Sequence, residues 1–399
     1  MTESAIRSDN HYRAGRYVRQ MTGYRAFIPA PLRPEPPVDL DGPLRKLLSE
    51  ADRALGRLDG SVQTIPDPDL FVYMYIRQEA VFSSQIEGTQ SSLQDLLAAE
   101  ADIFSAGRPG DVDELVNYVR AMNSGLEWLE RLPVSVRLIR NIHGELLDGV
   151  RGADKMPGEI RTSQNWIGSG LIGLQDATFV PPPPADVGNA LANLETFLHA
   201  QDDIPLLIKI GLAHAQFETI HPFLDGNGRV GRLLITFLLC ERGVLLKPVL
   251  YLSAFFKRNR SEYYDRLQTV RDTGNWEQWL EFFLRGVIEV SQQAVDTARA
   301  IQSLRERHRN AITEELGRGA ANGHRVLEKL YTRPIVSVED VRAITGTTYA
   351  AANQLVTRFQ ELGILTEITG QKRYRRFRYD SYIALFHDPA PHIEWFAPA

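Results

Sequence analysis

Apolar residues recur along most of the chain at three- and four-residue steps, the period of a helix with one buried face. Leu44, Leu47, Leu48, Ala51, Leu55 and Leu58 form the first such stripe. The same period predicts helices from about Pro68 to Ala99, from Asp111 to Leu132 and from Ser135 to Leu147. It resumes through Leu191, Leu194 and Phe197, then through Leu206, Ile210, Ala213, Phe217 and Ile220. Two further stretches run from about Ser253 to Val270 and from Trp276 to beyond Leu304. The pattern is that of a mainly α fold.

Three regions depart from it. Pro29, Pro31, Pro34, Pro36 and Pro37 deny helical continuity before Asp41 and favour an extended arm. Between Gly158 and Val180, glycine-rich turns separate short strand-like pieces, which predicts a β-hairpin stopped by Pro181 to Pro184. Gly317, Gly319 and Gly323 mark a linker. Past it come a helix near Val326, a second opening at Ser337, a third from Tyr349 to Leu362, and two strand-like pieces around Gly370. Three short helices followed by a β-ribbon is winged-helix order. The expected organisation is an arm and helical region over 1–110, a core over 111–316 and a winged helix over 324–385.

Composition narrows the setting. A chain with 43% hydrophobic and 24% charged residues has the make-up of an ordinary globular protein with a sizeable core. Its net charge of -5 offers nucleic acid no global attraction, which leaves only a local basic patch to do so. Cys240 is the one cysteine, so no internal disulfide forms and a reducing compartment fits best. It ends the apolar run from Leu233, which is too short to span a bilayer and suits a buried thiol. The first twenty residues are polar with no apolar signal segment. The expectation is a cytoplasmic protein without a membrane partner.

The chemistry is concentrated in His221-Pro-Phe-Leu-Asp225-Gly226-Asn227-Gly228-Arg229-Val230-Gly231-Arg232. A helix ends near Ile220, a tight turn follows, and a new helix opens at Gly226 or Asn227. Free backbone N–H groups at that opening, helped by the helix dipole, make an anion site. Arg229 and Arg232 share one helix face and suit forked bonding to phosphate oxygens. Asp225 is placed to bind one Mg²⁺, a cation often held by a carboxylate and phosphates. His221, mostly neutral at pH 7, can take a proton from an attacking hydroxyl. Base, metal ligand, anion cradle and charge clamps together suit transfer from a nucleoside triphosphate. Gly226, Gly228 and Gly231 also spell the dinucleotide fingerprint, but that requires a preceding strand. A zinc site of His214, His221 and Asp225 leaves the glycines and arginines without a role. The plain alternative is a helix cap with a satisfied histidine.

The same residues resemble the Fic family motif, HPFxDGNGRxxR, at every fixed position. The resemblance extends to the hairpin, the proline-rich arm and SSQIEGTQSSL, and so covers most of the chain to about residue 300. It implies a helical Fic core with a hairpin flap, and a protein adenylyltransferase. His221 would be the base and Asp225 the Mg²⁺ ligand. Residues Gly226, Asn227, Gly228, Arg229, Val230, Gly231 and Arg232 would hold the phosphates of ATP. The target hydroxyl would attack the α-phosphorus. Ser83, Glu87 and Gly88 fit the family's inhibitory pattern, with Ser83 and Glu87 one turn apart on a helix and Glu87 paired to Arg232. By the same resemblance Asn259 would hydrogen-bond the nucleoside and Tyr263 would stack on adenine, core packing being the alternative for the tyrosine. The 158–180 hairpin would dock a target protein by strand addition, in a groove narrowed by Trp166.

The carboxy-terminal residues and the donor leave several alternatives open. Lys372, Arg373, Arg375, Arg376 and Arg378, interleaved with Tyr374 and Phe377, form a basic ribbon for DNA or protein contact. Arg358 is the only basic residue of the helix before it, which weakens base reading. A DNA-binding regulator that only senses nucleotide, a Fic transferase using UMP, phosphate or phosphocholine donors, AMP removal, and a homodimer are the other readings.

Overall fold

The computed structural model describes residues 12–63, 68–103, 109–168 and 173–386. The chain runs β1 (Gly15–Arg19), β2 (Arg25–Pro29), α1 (Pro43–Gln63), α2 (Pro68–Ile86), α3 (Leu93–Glu100), α4 (Val112–Leu129) and α5 (Val136–Leu146). It continues through α6 (Pro184–His199), α7 (Leu206–Ile220), α8 (Asn227–Glu241), α9 (Ser253–Arg258), α10 (Arg260–Thr273) and α11 (Trp276–Leu316). Then come α12 (Ala320–Leu330), β3 (Ile335–Ser337), α13 (Val338–Thr345), α14 (Tyr349–Glu361), β4 (Thr366–Glu367), β5 (Arg376–Arg378) and α15 (Asp380–Ile383). Among the described residues the fold is mainly helical with two small sheets. Two compact units emerge from the contacts: one within 1–60, 79–92 and 109–293, the other within 61–78, 93–108 and 294–399.

The first unit is built around α7 and α8. Every residue of α7 from Leu207 to Ile220 is buried, as is α8 from Asn227 to Leu239 apart from Gly228. Both are interior helices, and their charged residues Glu218, Arg229 and Arg232 are buried with the apolar ones. Accordingly α8 packs on α4, α5 and α7, and α7 packs on α6 and α10. Ser135 starts α5 by accepting the Leu138 N–H at 3.3 Å, which satisfies an otherwise orphaned donor.

Four expectations need correction here. Within the described part of the amino-terminal arm lies a β-hairpin, β1 pairing antiparallel with β2 from Gly15↔Pro29 to Arg19↔Arg25. Its prolines do exclude helix, but all lie at or beyond the end of β2. The predicted helix from 68 to 99 is two helices, because the chain turns at Gly88 (φ +98°) with Thr89 N–H on Ser84 O at 3.2 Å. The predicted helix from 253 to 270 divides at Asn259 into α9 and α10. The expected linker is likewise absent: α11 reaches Leu316, a 3₁₀ turn covers Gly317–Gly319, and α12 begins at once. Gly323 serves packing instead, since a Cβ there would stand 2.7 Å from Ile312 Cγ2. In the 158–180 region, Ile167 and Phe179 form one antiparallel bridge; residues 169–172 of the expected hairpin lie outside the described residues.

In the second unit, α12, α13 and α14 accompany a three-stranded antiparallel sheet ordered β3-β5-β4. Strand β3 was not legible in the sequence pattern. Ser337 and Asp340 form a reciprocal capping box at the start of α13. Tyr331, Tyr379, Tyr382 and Phe386 pack ring on ring beneath. Among the described residues no helix is long and apolar enough to cross a membrane.

Candidate functional site

The turn between α7 and α8 is held from several directions. His221 caps α7 in the left-handed region (φ 48°, ψ 60°), and its N–H donates to Phe217 O at 2.9 Å. The side chain of Asn227 staples the loop: Phe223 N–H donates to its Oδ1, and its Nδ2 donates to Phe223 O, both at 2.8 Å. Gly226 then sets α8 going with φ +78°, a conformation that a side chain would strain. His143 props the far side. Its Nδ1 accepts the Gly158 N–H at 2.8 Å, which leaves Nε2 as the donor to Asp225 O at 3.0 Å. Its ring stacks on Phe223 at 3.7 Å.

Arg229 and Arg232 do not face one partner. Arg229 is fully buried and lies 3.2 Å from Glu114 Oε2 and 3.4 Å from Asp225 Oδ1. Arg232 donates from Nε to Ser83 Oγ at 2.8 Å, and from Nη2 to Ser83 O at 2.9 Å and Glu87 Oε1 at 2.7 Å. Glu87 is therefore at the guanidinium as the resemblance to the inhibitory pattern implied, though from the turn just past α2 rather than from the helix itself. Burial opposes the ionised form of Glu87, but the charge of Arg232 outweighs it and holds the carboxyl below its ordinary value.

Two other buried carboxyls border the arginine. Glu79 Oε1 accepts from Tyr118 OH at 3.1 Å and Ser253 Oγ at 2.5 Å, and burial pushes the group up to about 7. Glu218, also raised by burial to about 7, lies so close to α8 that a Cβ on Gly231 would overlap its Oε1. His221 moves the other way. Burial, with the charges of Arg271 and Arg161, pushes its imidazole down to about 4, so it is neutral at physiological pH.

The remaining predicted residues are placed less openly. Val230 points into a small apolar cavity with Leu138, Leu234 and Phe237. The carbonyl of Gly231 accepts from His214 Nδ1 at 2.9 Å, while His214 Nε2 accepts from Tyr263 OH at 2.9 Å. Both nitrogens of His214 are thus engaged, which removes it from the zinc reading; no group of three His, Cys, Asp or Glu suited to a metal occurs among the described residues. Tyr263 is a core residue, 1% exposed and stacked on Phe256 at 4.5 Å. Its neighbour Tyr264 is 39% exposed and feels the charges of Glu87 and Arg232. Asn259 turns its Nδ2 back to Phe255 O at 3.0 Å. Cys240 is half-buried, and burial pushes its thiol up to about 12, so it is no thiolate nucleophile. Sequence reasoning gave no role to Glu114, His143, Arg161, Glu218 or Tyr264; of these, Tyr264 closes the Asn259–Tyr264 segment that it had singled out.

Residues 45–127 match the family described as Fic/DOC family N-terminal, and residues 133–239 match the Fic/DOC family. A probable protein adenylyltransferase of Aquifex aeolicus is 38% identical over 96 residues, 24% of this chain and 28% of that protein. The protein adenylyltransferase fic-1 of Caenorhabditis briggsae is 27% identical over 275 residues, 66% of this chain and 47% of its own. The chain thus spans less than half the length of either curated relative. A solved Fic family protein from Desulfovibrio desulfuricans G20 superposes with a TM-score of 0.56 at 20% identity, covering 85% of this chain and 96% of that one. The two matched segments, 45–127 and 133–239, resemble the Fic/DOC family and together cover just under half of the chain.

Proposed function

We propose that the chain is a protein adenylyltransferase that moves AMP from ATP to a Ser, Thr or Tyr hydroxyl of a target protein, and that Glu87 restrains it. The names of its relatives support the transfer. The observation that carries it is the joining, within one turn, of a neutral imidazole at His221 to a helix opening at Gly226 and a buried cation at Arg232. The hydroxyl oxygen attacks the α-phosphorus, its proton passes to His221, the bond to the bridging oxygen breaks, and pyrophosphate leaves. Phosphate charges beside the imidazole raise its proton affinity when the nucleotide is in place.

Glu87 takes the Arg232 donors that a terminal phosphate would use. At an effective dielectric near 20, such a pair is worth roughly 4 kcal/mol before desolvation, enough to misplace the nucleotide. Asp225 fits a cation that brings most of its ligands along, because it offers one partly exposed carboxylate. Mg²⁺ bound mainly by phosphate oxygens and water is of that kind, and supplies charge neutralisation. The 158–180 segment with its exposed Trp166 would receive the target.

The second unit has the element order of a winged helix, whose turn presents Lys372, Arg373 and Tyr374 to solvent for a DNA or protein partner. A single cysteine suits the cytoplasm.

Incubating wild type, Glu87→Gly and His221→Ala with labelled ATP tests the reading, with the adduct located by mass spectrometry. The expected result is increased self-modification in Glu87→Gly and none in His221→Ala. Equal labelling of wild type and Glu87→Gly would remove the brake. No labelling from any nucleotide by Glu87→Gly would remove the enzyme.

A further inference from the structure

We propose that Arg161 and Asn165 are positioning residues of the transfer, holding the backbone carbonyl of His221 and with it the aim of the imidazole. The proposal rests on the reading of His221 as the base.

His221 needs holding. A histidine in the left-handed region persists only where its surroundings over-determine it. Its carbonyl, turned away from the helix ladder, accepts from Arg161 Nε at 2.9 Å and from Asn165 Nδ2 at 3.2 Å. Arg161 goes further round the turn. Its Nη2 reaches Pro182 O at 2.6 Å and Ile220 O at 3.4 Å, and its Nη1 reaches Ser163 O at 3.3 Å. Asn165 Nδ2 also donates to Phe223 O at 2.8 Å, the same carbonyl that Asn227 holds. Both ends of the His221–Phe223 turn are therefore fastened to one short segment before the Ile167–Phe179 bridge.

The chemistry of these side chains exceeds what packing requires. Arg161 is 1% exposed, and its guanidinium donates to four backbone carbonyls, the negative end of α7 among them. Asn165 leaves its Oδ1 buried without a partner among the described residues in order to set Nδ2 on two carbonyls. An apolar filler would close the space without either arrangement. The guanidinium also places a positive charge beside the imidazole. Arg271 on α10 acts in the same sense, while Glu87 and the Glu218 carbonyl act in the opposite one.

The test uses the full chain carrying Glu87→Gly, alone and with Arg161→Met, Arg161→Lys or Asn165→Ala. Self-modification is followed from pH 5 to 9 for kcat and KM of Mg-ATP. The ring titration of His221 is read by NMR, assigned among the nine histidines with His221→Ala. Arg161→Met should lower kcat about 100-fold with KM changed less than about threefold, as expected of a misaimed group. Loss of the positive charge should move the acid limb and the ring titration up by about one pH unit. Arg161→Lys, which keeps the charge, should lose rate without that move, and so should Asn165→Ala. Unchanged kcat and titration in all three variants would overturn the proposal, as would rate losses that only follow the unfolded fraction. If the Glu87→Gly parent transfers no AMP, the function proposed above fails by itself; the His221 titration still decides for or against Arg161.

Discussion

Gly228 and Glu87 contest one space: a Cβ built on the glycine overlaps Glu87 Oε1 and stands 2.9 Å from Arg232 Nη1. Gly228→Ala should therefore destabilise the chain by about 1–3 kcal/mol, the usual cost of overpacking. Most of that loss should vanish in the Glu87→Gly background, where the opposing carboxyl is gone. Denaturant titration of the four proteins in the cycle measures the coupling. Additive effects would mean that the two residues do not meet.

Ser83 gives a graded version of the same contact. Ser83→Ala removes the 2.8 Å bond to Arg232 Nε but leaves the backbone carbonyl and Glu87 in place. A hydrogen bond to a charged group contributes about 1.5–3 kcal/mol, so initial rates of self-modification should rise roughly tenfold or more. The rise should stay below that of Glu87→Gly. A rate no higher than wild type would show that Ser83 does not help seat the brake.

The buried carboxyls give stability a definite pH dependence. Glu79 and Glu218 rise from an ordinary 4.5 to about 7, so the folded chain binds more protons than the unfolded one between those values. Their contribution is present below pH 4.5 and lost as pH climbs towards 7, by up to about 3 kcal/mol each. Glu87, held below its ordinary value, works in reverse: its pairing persists at neutral pH and is lost in acid. Unfolding free energies at pH 5 and pH 8 should show a decline that Glu79→Gln partly flattens. An identical decline in the variant would place the proton elsewhere.

Gly323 offers a check on the second unit. A side chain there meets Ile312 Cγ2 at 2.7 Å and Leu316 Cδ1 at 2.8 Å. Gly323→Val should cost about 1–3 kcal/mol through overpacking and the β-branched side chain. Were the residue part of a linker, thermal melting would be unmoved.

Legibility followed sequence distance. The turn from His221 to Arg232 was readable because its glycines, loop and arginines are contiguous, and a helix opening is a local property. Glu87 was readable only through its resemblance to an inhibitory pattern taken together with that turn. Glu114, His143 and Arg161 reach the turn from 60 to 115 positions away, and nothing in their own surroundings marks them. The glycines near 320 misled for a related reason. Composition announces that glycine lacks a side chain, but not whether that gap serves a bend or, as at Gly323, a neighbouring helix. The amino-terminal hairpin escaped because prolines report what a segment cannot be, and pairing of β1 with β2 depends on register rather than composition.

The fit of Glu218 against Gly231 ties two positions on different helices to one volume. Where a cousin of this chain carries alanine or threonine at the second, the acid at the first must shrink or swing away. Swapping either residue alone between such cousins should injure the recipient, and moving both should spare it. The two positions should therefore evolve in step, a signature that can be sought in gene sequences before any protein is made.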